Sequence, residues 1–262
     1  MFAHDFLEEA AQNNALLQIH PHTKLFLGLG TIFLVLFAPH FLIPFIASLV
    51  LSITIVFIAK INLKFYLSLL SIPLGFATLS VLVVILLSKG QEPIWSWQVL
   101  SWLPLSISQE SLNRGLLIFF RIMGGMSALF FISLTTPMTD LFGVMKQLKV
   151  PDLFIDLSMI IYRFIFIFIK KAHDIYLAQQ MRMGYSKPKE AVKSYSMLFG
   201  SIFITSWDAG EQFINAMECR CYNGKYPKNV SYNPVEWRSL TPVILFLISI
   251  IISSMLASGY QG

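Results

Sequence analysis

The sequence predicts an all-α integral membrane protein, with about five transmembrane helices and three further helices outside the bilayer. Three observations carry this. The chain is 56% hydrophobic and only 13% charged, where a soluble domain averages about 25% charged residues. Its apolar residues, 23 Phe among them, gather into runs that approach the roughly 20 residues a bilayer crossing needs. Its basic residues are bunched: 13 of the 19 fall between Thr135 and Ser239. Pro and Gly are scattered, which excludes a fibrous or disordered class.

Met1 to Gln18 is a polar, acidic tail without the basic stretch of a cleavable signal. Phe6, Ala10 and Leu17 give it helical spacing, as for a segment lying on the membrane surface or on the protein. Pro21 and Lys24 introduce the first apolar run, Leu25 to Phe37, which needs to begin near Pro21 to span. Ala38-Pro39-His40 is a tight connection, and Phe41 to Ala59 is the second run. Lys60 and Lys64 flank a polar joint. Phe65 to Leu87 is the third run, with Pro73 and Gly75 placed to bend it. Ser88 to Asn113 reads as a loop whose Trp95, Trp97 and Trp102 suit the headgroup level. Arg114 to Leu134 is the fourth run, and Leu240 to Ala257 the last.

Leu153 to Ile169 is apolar enough to pass for a sixth span. Asp156 and Arg163 lie inside it, and an ionised group at a helix centre costs about 2.5–3.5 kcal/mol on insertion scales. Were it to cross, the ten basic residues from Lys170 to Arg238 would lie outside, against the positive-inside bias. The expected arrangement is therefore residues 1–134 as tail and four spans, 135–239 as one cytoplasmic block, and 240–262 as the last span. Within the block, Thr136-Pro137 starts a short helix to about Leu148. Pro151-Asp152 starts a second to about Met183, with Gly184 as its C-cap. Ser186-Lys187-Pro188 starts a third, to about Cys221, ended by Asn223-Gly224 and Pro227.

The two long helices of the block end alike. Ala178 stands four residues before Arg182, and Ala216 four before Arg220, with the arginines 38 positions apart. A guanidinium is a rigid fork that pairs bidentately with a carboxylate, so each end can plug into an acidic socket on another protein. The plainer reading is a basic helix terminus favoured by the macrodipole. Cys219 and Cys221 flank Arg220. They are too close for an easy disulfide and too few for a metal cage. His4, His20, His22 and His40 do not converge in this arrangement. The five predicted spans contain no carboxylate, whereas a secondary transporter or proton pump usually keeps an acid within its bundle. Arg121 is expected to snorkel, or to pair with a backbone carbonyl or a partner's acid. A phosphate-cradling Gly-rich loop, a Ser/His/Asp set in context and a His-Glu-x-x-His motif are all missing.

One combination of motifs resembles a known family. It comprises His20-Pro-His-Thr-Lys24; Leu134-Thr-Thr-Pro137 with Asp140-Leu141 and Leu148-x-x-Pro151; Tyr162-Arg163; and the two arginine-bearing helix ends. Together these resemble the transmembrane coupling (T) component of energy-coupling factor (ECF) transporters, most closely the cobalt/nickel CbiQ type. The family commonly carries Ala-Arg-Gly or a close variant at each coupling end. Here the triplets are Met181-Arg182-Met183, followed by Gly184, and Cys219-Arg220-Cys221. The resemblance implies a non-catalytic subunit, holding no cofactor and touching no nucleic acid, in a prokaryotic cell membrane. It implies two ABC-type ATPases that consume ATP and dock on the arginines, a substrate-binding S subunit, and membrane lipid around the spans. The implied cargo is cobalt or nickel, a vitamin system being the alternative. A self-contained channel or secondary transporter is the reading from another class.

Overall fold

The computed structural model describes residues 10–12, 14–17, 19–87, 93–100, 103–222 and 237–259; in 86–108, 237–239 and 256–259 it describes the backbone alone. After a helical stretch at residues 10–12, the described elements follow in order: α1 (Pro21–Leu36), α2 (Leu42–Ile53) running into a π-helical turn (Thr54–Ile58), α3 (Leu63–Leu87), β1 (Pro93–Leu100), β2 (Leu103–Ser108), α4 (Gln109–Thr135), α5 (Met138–Gln147), α6 (Asp152–Met181), α7 (Pro188–Cys219) and α8 (Trp237–Gly259). Among the described residues the regular structure is thus helical except for the hairpin. The chain divides into two units, residues 1–141 with 232–262, and residues 142–231.

The first unit is built around α4, which packs against α1, α2 and α3, while α8 lies on α1 and α2. Small residues bring these helices close, as is usual where lipid removes the hydrophobic drive between them. Ala47, Ala77 and Ala128 are fully buried. A Cβ on Gly124 would stand 3.1 Å from the Pro44 carbonyl oxygen and 3.1 Å from a Val35 methyl. Leu51, Ile55, Tyr66, Phe131 and Leu134 fill the core. The large apolar side chains of Phe33, Phe37, Phe57, Ile72, Phe76 and Leu245 face outward. A water-soluble fold seldom presents so broad an apolar surface, whereas hydrocarbon accepts it. By length and composition, Leu63–Ile85 and Gln109–Thr135 suffice to cross a membrane, and Pro21–Leu36, Leu42–Ile58 and Leu240–Met255 are shorter apolar helices.

Several local features differ from the sequence reading. The expected loop after α3 holds an antiparallel hairpin, pairing Trp95 with Ile107 and Trp97 with Leu105; its Ile, Val and Trp content is strand-prone. Trp102 lies outside the described residues, as do His4 and the segment from Asn223 to Pro227. The second span ends in a π turn, the Ala59 amide donating to the Thr54 carbonyl at 2.9 Å. Lys60 then takes a left-handed φ of 58°.

In the second unit α6 and α7 form an antiparallel pair joined by a tight turn. Near the turn, the Tyr185 ring rests between Tyr176 and Tyr195, and its hydroxyl donates to Gln179 Oε1 at 2.6 Å. Ser194 Oγ donates to the Gly184 carbonyl at 2.8 Å. Further along, Phe164 meets Phe213 edge to face. Pro188 in the first turn of α7 and Glu190 beside it favour that helix start.

Candidate functional site

α6 carries its helical hydrogen bonds to Met181, and Arg182 is the capping residue, with φ −91° and ψ 17°. Met183 then turns left-handed, at φ 58°. Its amide donates to the Gln180 carbonyl at 3.0 Å, and the Gly184 amide reaches back to Gln179 at 2.9 Å. This is the paired 5→2 and 6→1 closure that satisfies the last carbonyls of a helix. Gly184 is therefore not the left-handed residue, as the sequence reading expected; it stands one place later.

α7 ends in the same way. Arg220 caps it at φ −93° and ψ 14°, and Cys221 turns left-handed at φ 54°. The Cys221 amide donates to Glu218 at 2.9 Å and the Tyr222 amide to Met217 at 3.1 Å. Residues 179–184 and 217–222 thus share one backbone course, although their side chains differ except at the arginine. α7 alone separates the two, so Arg182 and Arg220 lie at opposite ends of a rod of about 48 Å, at 1.5 Å per residue.

The side chains at these ends are open. Ala178, Arg182, Ala216 and Arg220 are all exposed. Met181 and Met183 are exposed by 87% and 70%, and both cysteines are free and exposed. Each alanine lies one turn below its arginine on the same helix face. Among the described residues neither arginine forms an ion pair, the pair found being Lys187–Glu190, at 3.9 Å on the surface. Each end therefore offers an unneutralised fork, above a small side chain and between two apolar or thiol side chains.

A second polar constellation sits in the first unit. Lys24 is only 2% exposed, and its Nζ donates to the Thr135 carbonyl at the end of α4, at 2.8 Å. A cation there meets the negative end of the helix dipole. Asn14 Nδ2 donates to the same carbonyl at 3.4 Å and to that of Leu134 at 3.3 Å, while its Oδ1 accepts the Leu16 amide at 2.9 Å. Asp140 acts electrostatically on both His20 and Lys24. The motifs from His20 to Lys24 and from Leu134 to Pro137 are thus one structural lock. His20 Nδ1 caps α1 by accepting the His22 amide, and His40 Nδ1 accepts the Leu42 amide at the start of α2. Among the described residues no three His, Cys, Asp or Glu side chains gather as metal ligands. Arg121 donates to the Ala38 carbonyl at 2.6 Å, the backbone partner among those the sequence left open.

A family profile described as "Cobalt transport protein", CbiQ, matches residues 12–232. The chain belongs to the CbiQ family. An uncharacterized protein of Methanocaldococcus jannaschii is 33% identical over 222 residues, covering 85% of this chain and 82% of that one. A protein of Methanocorpusculum labreanum named as a fused cobalt transport protein, CbiMQ, is 37% identical over 224 residues, 86% of this chain and 37% of the fusion. The transmembrane protein EcfT of the Lactococcus lactis energy-coupling factor transporter is 27% identical over 251 residues, 91% of each. With the apolar bundle, these relatives make the chain an integral membrane protein.

Within this CbiQ-family chain the left-handed position at each end is the third residue of the triplet, where the resemblance leads one to expect glycine. Met183 and Cys221 adopt a conformation glycine takes without steric cost. Sequence reasoning missed Asn14 as the bolt of the lock. Its one signal is an Asn among apolar residues just ahead of the first span, too common a pattern to read.

Proposed function

We propose that this chain is the non-catalytic coupling subunit of an ECF-type importer for cobalt or nickel ions. The observation that supports this reading most is the pair of helix ends with the same closure and the same exposed arginine. Two plugs of similar shape at opposite ends of a rod suit two similar partners, and ABC-type ATPases work in pairs. Each arginine would pair with acidic residues of one ATPase, which binds and consumes the ATP. The names of the relatives support the metal cargo. A membrane S subunit that captures the ion would cover apolar surface on α6 and α7, where Leu153, Phe154, Phe199, Phe203 and Trp207 are exposed. In this arrangement the N-terminus and the second unit face the cytoplasm, as the distribution of basic residues favours.

The test reverses the charge at both helix ends. The double variant Arg182→Glu, Arg220→Glu is expected to lose the ATPases on purification and to lose cobalt uptake in cells, while still inserting in the membrane. Retained association and transport would sink the reading. The EcfT likeness favours one second reading, a T component for a vitamin system. Uptake of a vitamin but not of radiolabelled cobalt by the reconstituted complex would select it.

A further inference from the structure

Between α1, α2, α4 and α8, inside the first unit, lies a cavity of about 280 Å³ lined by Leu27, Leu51, Phe131 and Phe246 together with Thr23 and Lys24. Its walls are hydrocarbon except at those last two residues and at Thr54, whose hydroxyl is already bonded to the Val50 carbonyl. Thr23 is 2% exposed, and its Oγ1 has no hydrogen-bond partner. Lys24, equally buried, has three N–H donors and one acceptor, the Thr135 carbonyl. Among the described residues no carboxylate comes within ion-pair distance of it, Asp140 acting on it only electrostatically. A buried hydroxyl and a buried ammonium are seldom left so under-satisfied. The π turn at Thr54–Ile58 forms part of the cavity wall, and such turns recur at binding sites. The polar corner lies at the start of α1 and the end of α4, where helix ends meet the headgroup level.

We propose that this cavity binds one anionic phospholipid, its acyl chain against Leu27, Leu51 and Phe246 and its phosphate at Lys24 and Thr23. Apolar walls select a hydrocarbon chain over a soluble metabolite. The cation selects an anionic over a zwitterionic head, and the hydroxyl supplies a second donor to phosphate oxygen. The site uses none of the residues of the helix ends carrying Arg182 and Arg220, so it stands or falls independently of the coupling reading.

The test uses the purified full-length chain in nanodiscs, with a photoreactive diazirine in the acyl chain of phosphatidylglycerol or of phosphatidylcholine. Peptide mass spectrometry is expected to find label on Leu27, Val50 or Phe246 from the anionic probe, about fivefold above the zwitterionic one, as one lysine near a headgroup provides. Lys24→Met is expected to erase that difference. Val243→Trp fills the cavity and leaves the lysine in place; it is expected to abolish label there and spare the outward-facing Phe33 and Phe76. Equal labelling by the two probes, or labelling of the cavity residues that survives Val243→Trp, overturns the proposal. So does displacement by palmitate but not by unlabelled phosphatidylglycerol.

Discussion

Two residues set the form of the helix ends. Met183 and Cys221 stand at φ 58° and 54°, where a Cβ crowds the following carbonyl at a cost of about 1 kcal/mol relative to glycine. Met183→Gly is therefore expected to stabilise the end of α6 by up to about 1 kcal/mol, less the chain entropy glycine adds. Hydrogen-exchange protection of the amides at 183 and 184 would report it. Met183→Val should loosen the same end, because a branched Cβ fits that conformation worse. The arginines were legible in the sequence because the Ala-x-x-x-Arg spacing repeats. The turning residue was not. Gly184 is the usual signal for a left-handed cap, and here it sits one place beyond the turn, where its amide rather than its φ is used.

At the level of elements, the first unit is held shut where the start of α1 meets the end of α4. Asn14→Leu would leave the Leu16 amide and the Leu134 carbonyl without their partner, a loss of about 1–3 kcal/mol for buried groups. Thermal unfolding in detergent should show it, with Asn14→Asp recovering the Leu16 bond only. His20 adds a pH dependence. Its Nδ1 must be unprotonated to accept the His22 amide, and burial, with His22 beside it, lowers its affinity for the proton against the weaker pull of Asp140. A histidine lowered in the folded state contributes stability above its ordinary value of 6.5 and loses it as pH falls through that range. Protection of the His22 amide is expected to drop below pH 6.5, and His20→Asn, a cap that does not titrate, to remove the dependence. The helices themselves were readable, since long apolar runs bounded by Pro and Lys leave few choices. The π turn and the hairpin were not. The first depends on how α2 meets the neighbours of Ile55, and the second on pairing between segments that each read as loop.

At the scale of the whole molecule, the bundle displays its apolar side chains outward and keeps Ala, Gly and Thr between helices. The membrane class, with its few charges, was visible in composition; which side chains face outward and which lie between helices was not. The placing of α6 outside the bilayer rests on charge asymmetry. It predicts that Cys219 and Cys221, both free and exposed, react with a membrane-impermeant maleimide in inverted vesicles and stay unreactive in right-side-out ones. The opposite result would put the arginine ends on the far side and defeat the coupling proposal. The same reagent is expected to prevent ATPase association when added first, since both thiols flank Arg220.

The matching closures at residues 179–184 and 217–222 have an evolutionary corollary. Backbone hydrogen bonds, rather than particular side chains, fix the shape of each terminus, so the neighbours of the guanidinium are free to drift. On the coupling proposal, one terminus can then specialise toward its own motor subunit while its twin keeps its fit. A matched pair of motors could diverge into two unlike ones with the scaffold between them unaltered.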